Sequence, residues 1–191
     1  MECGSVRPGR LPRRAMELVA AGIVVCQAEV SAADVKRFGA SLSSERRALV
    51  TTFSADRVKF TAWPELVRLF PNLERVYAPR CGLVEFPLAV CALPNLRRLT
   101  LSFNDLVAVP CEVSRLQQLE WFYLNGCARL QRLPSSISTL TALTRLHLVG
   151  CDKLPKEFNA DLDDAGDVQD VLVKMSSILR GLNTAELCMW R

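Results

Sequence analysis

One feature constrains this chain more than any other: a repeat of 23 to 24 residues. Leu73, Val76, Ala78, Cys81, Leu83, Phe86 and Pro87 occupy offsets 0, 3, 5, 8, 10, 13 and 14 of a unit. Leu96, Leu99, Leu101, Asn104, Leu106, Val109 and Pro110 take the same offsets 23 residues on. Leu119, Phe122, Leu124 and Cys127 follow, with Leu130, Leu133 and Pro134 displaced by one. Leu143, Leu146, Leu148, Cys151, Leu154 and Pro155 open a further unit that is cut short. Backwards, Val50, Phe53, Ala55, Val58, Phe60, Trp63 and Pro64 fit the same frame, so the units are 50–72, 73–95, 96–118, 119–142 and a fifth from 143. A fixed period of this length is the mark of a solenoid, because one unit cannot bury its apolar set alone and must stack on its neighbours.

Within a unit, apolar offsets 3 and 5 flank a solvent-facing residue, the period-2 sign of a short strand with one buried face. Offsets 10 and 13 turn the chain inward again, and the proline that follows stiffens the turn. Val113 with Leu116, and Ile137 with Leu140, supply the inward side of a helical or 3₁₀ segment. Cys81, Cys127 and Cys151 share offset 8 with Asn104. These are read as buried thiols whose weak S–H donor serves the turn between units.

The pattern L-x-x-L-x-L-x-x-N-x-L-x-x-L/V-P, running from residue 50 to about 158, resembles the leucine-rich repeat family. The stretch LEWFYLNGCARLQRLPSSISTLTAL is similar to the repeats of intracellular plant disease-resistance proteins, with Cys at the Asn position and one extra residue after it. The resemblance implies an α/β solenoid: a horseshoe fragment of about five repeats, with parallel strands lining a concave face. It also implies protein–protein recognition on that face, although one scaffold hosts many partners.

The two ends of such a stack need caps. Residues 1–49 are expected to be a basic N-terminal arm and cap, with a degenerate repeat at 27–49. Ser31-Ala-Ala-Asp34 reads as a capping box with Asp in place of Glu, opening a helix or turn through Phe38. Arg7, Arg10, Arg13 and Arg14 precede the nine-residue apolar run Leu18 to Cys26, too short to span a bilayer. That run also fits a signal-peptide core or a presequence, which makes secretion or mitochondrial import the alternatives to a cytoplasmic location. The repeats are expected to occupy 50–160, and 161–191 a C-terminal capping helix. There Asp161, Asp163, Asp164 and Asp167 precede Val168, Val171, Leu172 and Met175 at helical spacing.

Composition narrows the function. Half of the 191 residues are apolar and 23% are charged, so a packed core is expected. The net charge of +4 is too mild to mark a nucleic-acid binder. His147 is the only histidine, which removes any His pair, and the eight cysteines form no C-x-x-C. No P-loop, G-x-S-x-G or H-E-x-x-H occurs, so neither an enzyme nor a cofactor or metal is expected. With no N-x-[ST] sequon and no disulfide-dense composition, a reducing compartment follows.

The frame also assigns the exposed strand positions. Offset 2 carries Thr52, Arg75, Arg98, Trp121 and Arg145, and offset 4 carries Ser54, Tyr77, Thr100, Tyr123 and His147. Offset 7 adds Arg57, Arg80 and Phe103. Trp, Tyr and Arg dominate binding hot spots. The candidate partner-binding residues are therefore Arg75, Tyr77, Arg80, Arg98, Thr100, Phe103, Trp121, Tyr123, Arg145 and His147. Six arginines (57, 75, 80, 97, 98 and 145) face Asp56, Glu74 and Glu120, which favours a protein partner with an acidic segment. Five strands about 4.8 Å apart and about seven residues long give a face of about 450 Å². That falls short of the roughly 800 Å² per partner of a standard interface, so rim or arm residues would have to contribute. The function expected is a non-catalytic interaction module, an adaptor or regulatory subunit of an intracellular complex. The alternative is a protein associated with RNA or single-stranded nucleic acid through its Arg and aromatic side chains.

Overall fold

Offsets 2 to 4 of each unit become a three- or four-residue strand, because the residues at offsets 3 and 5 have the same inward direction and the same neighbours to meet. The computed structural model describes residues 16–19, 22–26, 30–60, 63–155, 161–162, 168 and 172–173. The strands are β1 (Met16–Val19), β2 (Ile23–Cys26), β3 (Thr52–Ala55), β4 (Arg75–Tyr77), β5 (Arg98–Thr100), β6 (Trp121–Tyr123), β7 (Arg145–His147) and β8 (Asp161–Leu162). They form one sheet in sequence order. Strands β2 to β7 are parallel, while β1 and β8 run antiparallel at the two edges. The register aligns Thr52, Arg75, Arg98, Trp121 and Arg145, which is the repeat frame made physical.

Behind the sheet the inward residues form columns. Phe53, Val76, Leu99, Phe122 and Leu146 at offset 3 are fully buried, as are Ala55, Ala78, Leu101, Leu124 and Leu148 at offset 5. Each fully buried large side chain contributes roughly 1.5–3 kcal/mol, so stability is spread along the stack. Opposite the sheet, the segments Leu88–Ala92, Cys111–Arg115 and Ser135–Thr139 are 3₁₀ turns, each entered through a proline. Val90, Cys91, Val113 and Ile137 are their buried members.

Offset 8 holds the units together. Asn104 Nδ2 donates to the carbonyls of Ala78 (2.9 Å) and Leu101 (2.8 Å), while its Oδ1 accepts the N–H groups of Cys81 (2.9 Å) and Leu83 (3.1 Å). Where cysteine stands at this offset the thiol donates to a carbonyl of the preceding unit. Cys81 reaches Ala55 (2.9 Å), Cys127 reaches Leu101 (3.4 Å) and Cys151 reaches Leu124 (3.2 Å). Burial pushes the Cys81 thiol up to about 11, and raises that of Cys127.

The N-terminal region departs from the expected 27–49 repeat. Ile23 pairs with Thr52, a step of 29 residues, so the unit before β3 starts earlier and is longer. Its outer side is built from α1 (Ala32–Ser41) and α2 (Ser44–Ala48) instead of a 3₁₀ turn. An α-helix advances less per residue than a 3₁₀ turn and needs more chain to cross the same outer side. The capping box opens α1 as expected: Asp34 N–H donates to Ser31 Oγ (3.2 Å), and Ser31 N–H donates to Asp34 Oδ2 (2.9 Å). Part of the apolar run 18–26 forms the facing strands β1 and β2, with Val24 and Cys26 buried. At the other end, Asp161 lies in β8 beside His147 and does not open a helix, so the sheet runs past residue 160. Val168 and Leu172 are helical and buried in the common core, and most of 161–191 lies outside the described residues. No helix among the described residues is long and apolar enough to cross a membrane.

Candidate functional site

Parallel pairing in register sets the residues of one offset side by side, about 4.8 Å apart, across the concave face. The first row reads Thr52, Arg75, Arg98, Trp121, Arg145, and the second Ser54, Tyr77, Thr100, Tyr123, His147. Eight of the ten candidate residues therefore lie in two adjacent rows, half-exposed on strands whose other face is core. Thr52, paired with Ile23 of β2, is the exception to the expected exposure: it is 4% exposed.

The centre of the first row is a stack. The Arg98 guanidinium carbon lies 3.5 Å from the centroid of the Trp121 ring and that of Arg145 lies 4.3 Å away. They come from the strands on either side of β6, so the indole stands between two guanidiniums. Cation–π contacts of this kind are worth roughly 0.5–1 kcal/mol at exposed sites and about 2 kcal/mol when desolvated. Trp121 also meets Tyr123 edge to face at 6.3 Å, and Tyr123 meets His147 at 4.4 Å. The two rows are thus one connected cluster. The repeat frame already puts Trp121 and Tyr123 one strand from Arg98 and Thr100 and one strand from Arg145 and His147, at the centre of a basic, aromatic patch; the stacking of both guanidiniums on the indole is what the structure adds.

Arg80 and Phe103 belong to a different place. Offset 7 is left-handed in all five units: Arg57 (φ 57°), Arg80 (φ 56°), Phe103 (φ 58°), Gly126 (φ 68°) and Gly150 (φ 78°). The chain turns out of the sheet there, so Arg57, Arg80 and Phe103 form a rim beyond the strand ends and not part of the two rows. Arg80 lies over the Phe103 ring at 4.6 Å and pairs with Asp56 at 3.6 Å. The Phe103 ring in turn rests over Gly126, where a Cβ would come within 2.5 Å of it. The glycines at 126 and 150 were the sequence signal for this turn.

The face is basic but partly neutralised. Arg75 lies 4.0 Å from Glu74, and Arg97 pairs with Glu120 of the next unit. Exposed pairs like these contribute little to stability. Among the described residues, Arg98 has no carboxylate partner, and no group of three or more His, Cys, Asp or Glu is placed to hold a metal.

No protein-family model matches the chain. A stretch of 63 residues, 33% of the chain, is 35% identical to the disease resistance-like protein DSC1 of Arabidopsis thaliana, of which it spans 5%. Another of 52 residues, 27% of the chain, is 40% identical to a uridine 5'-monophosphate transferase of Xanthomonas campestris pv. campestris, of which it spans 10%. The chain therefore corresponds to a small part of each of these curated relatives. Among solved structures, a leucine-rich-repeat protein of Leptospira interrogans superposes with a TM-score of 0.53 at 24% identity, over 68% of this chain and 31% of that one. With one parallel strand per 23- or 24-residue unit, an Asn or Cys bridging successive units, and these likenesses, the chain has the leucine-rich-repeat fold.

Proposed function

We propose that the concave face of β4 to β7 binds a protein partner through an acidic segment, and that the chain works as a non-catalytic adaptor or regulatory subunit in the cytoplasm. The observation that carries this reading is the continuous cluster Arg98–Trp121–Arg145 and Tyr123–His147 at the middle of the sheet. Large rigid rings bury area at small entropic cost, and guanidiniums take carboxylates in bidentate fashion. The β2 strand widens the parallel sheet to six strands, and the Arg57–Arg80–Phe103 rim borders it, so a partner has more surface than five repeats alone provide. The stack favours a protein over single-stranded nucleic acid: base stacking needs an open indole face, and guanidiniums from both neighbouring strands lie against that of Trp121.

Affinity capture with the wild type and with a Trp121→Ala/Tyr123→Ala double variant tests the reading. A protein retained by the wild type and lost from a folded double variant supports it. Equal retention by both contradicts it. A steep log–log dependence of binding on salt, with nucleic acid as the retained species, would favour the alternative.

A further inference from the structure

We propose that Arg75 and Arg98, with the hydroxyls of Tyr77 and Thr100, form a site on β4 and β5 for a phosphorylated side chain of the partner segment. This rests on the concave face being the binding surface, and adds the kind of anion that one half of that face selects.

The parallel register places the four residues at the corners of one rectangle. Arg75 stands beside Arg98 and Tyr77 beside Thr100. Each pair is about 4.8 Å apart across the strands, and the two pairs are about 6.6 Å apart along them. All four are half-buried on the open face, while Val76 and Leu99 between them are fully buried in the core. Like charges side by side on neighbouring strands are destabilising unless an anion joins them. No carboxylate stands in the rectangle itself. Glu74 comes only within 4.0 Å of Arg75, both are well exposed, and such a pair is worth little. Glu120 is taken by Arg97. Among the described residues the Arg98 guanidinium has no carboxylate, and the Tyr77 and Thr100 hydroxyls make no hydrogen bond.

The donor set matches a phosphomonoester better than a carboxylate. The Trp121 ring holds the Arg98 guanidinium by its face at 3.5 Å and leaves N–H donors at its edge. Less side-chain freedom is therefore lost when that edge binds an anion. A carboxylate has a single charge and two oxygens, which one guanidinium fork already satisfies. A phosphorylated side chain carries a charge of about −1.5 to −2 and three acceptor oxygens. It can accept from both guanidiniums and still have an oxygen for a hydroxyl donor. A nucleic-acid phosphate carries one charge and no third terminal oxygen, so it uses this set less fully.

Three nine-residue peptides test this, acetylated, amidated and identical in a Gly/Ser background except for a central phosphothreonine, glutamate or threonine. Inorganic phosphate and an eight-nucleotide deoxythymidine strand are the further probes. Each is titrated at physiological salt into the full ¹⁵N-labelled chain while the arginine Nε–H and the Leu99 and Thr100 amide resonances are followed. The phosphothreonine peptide should bind at least about tenfold more tightly than the glutamate peptide. Arg75→Gln and Arg98→Gln should each weaken it at least about fivefold, and Tyr77→Phe about threefold. Arg115→Gln, on the outer side, should leave it unchanged. The amide spectrum of each variant confirms its fold. Equal affinity for the phosphothreonine and glutamate peptides overturns the phosphate selectivity and leaves the acidic-partner reading standing. Inorganic phosphate or the oligonucleotide binding as tightly as the phosphothreonine peptide overturns the assignment to a protein segment. Phosphopeptide binding that survives both Arg75→Gln and Arg98→Gln overturns the site. No perturbation by any probe at millimolar concentration overturns the phosphate site alone, because capture with the Trp121→Ala/Tyr123→Ala variant decides the partner reading separately.

Discussion

At the scale of single residues, the left-handed position at offset 7 shows how side chains are traded against backbone strain. A residue with a Cβ pays about 1–2 kcal/mol to run left-handed, yet three of the five units keep Arg57, Arg80 and Phe103 there. Gly126 has a second reason to lack a side chain, since the Phe103 ring occupies the space. Gly82 is also left-handed (φ 67°) but a Cβ there would meet nothing within 4 Å. Gly82→Ala should therefore cost only about 1 kcal/mol, while Gly126→Ala should cost clearly more, because backbone strain and the displaced ring add. Chemical denaturation of both variants checks this, and equal losses would mean that the ring does not rest on Gly126. Periodicity told which residues share a row at offsets 2 and 4, since alternation alone decides that. It did not reveal that Arg80 and Phe103 leave the sheet, because the sign of φ has no period-2 signature. Nor did it show Arg98 and Arg145 closing on Trp121, which depends on side-chain direction as well as register.

Secondary-structure elements differ in how local their signals are. The α1 capping box was legible because Ser31 and Asp34 are three residues apart and settle their geometry between themselves. The hydrogen bonds from the Ser31 hydroxyl and backbone hold the Asp34 carboxyl below its ordinary range. A carboxylate with a lowered folded value contributes stability above its unfolded value and loses it as pH falls through the folded one. Asp34→Ala should thus cost about 1 kcal/mol near neutrality, and the gap from wild type should close below about pH 4. Thermal melts from pH 2 to pH 7 measure this, and a gap that does not change with pH would contradict it. The 29-residue unit before β3 was not legible, because two helices replace a 3₁₀ turn there and shift the chain out of the 23-residue frame. The cysteines form another element-scale set. Burial pushes the Cys26 and Cys91 thiols up to about 12, and Cys81 to about 11, so few thiolates form near neutrality. Cys111 is exposed. Iodoacetamide at pH 8 should mark Cys111 before Cys26, Cys81, Cys91, Cys127 and Cys151, as read by peptide mass mapping. Labelling of Cys127 or Cys151 as fast as Cys111 would mean that the stack opens readily.

For the whole molecule, a stack of units is only as sound as its ends. An antiparallel strand lies on each edge of the parallel sheet, and Val168 and Leu172 are buried in the same core as Leu148 and Cys151. Deleting 161–191 should uncover that end and lead to aggregation, seen by light scattering. A soluble monomeric truncation with unchanged melting would show that the last repeat needs no cover. The solenoid itself was legible from the repeat, since stacking is the one way for every unit to bury its leucines. What the repeat could not supply is which face carries function, because exposed positions leave no mark in the apolar pattern. That assignment rests on the aromatic and arginine cluster, and one measurement tests it most directly. The affinity of Trp121→Ala for the protein captured by the wild type, determined by calorimetry, should fall by at least about 2 kcal/mol, roughly 30-fold, with melting unchanged. Normal binding by Trp121→Ala, together with loss of binding on substitution of the outer-side residues Arg115, Gln117 and Gln118, would place the functional surface on the opposite side of the molecule.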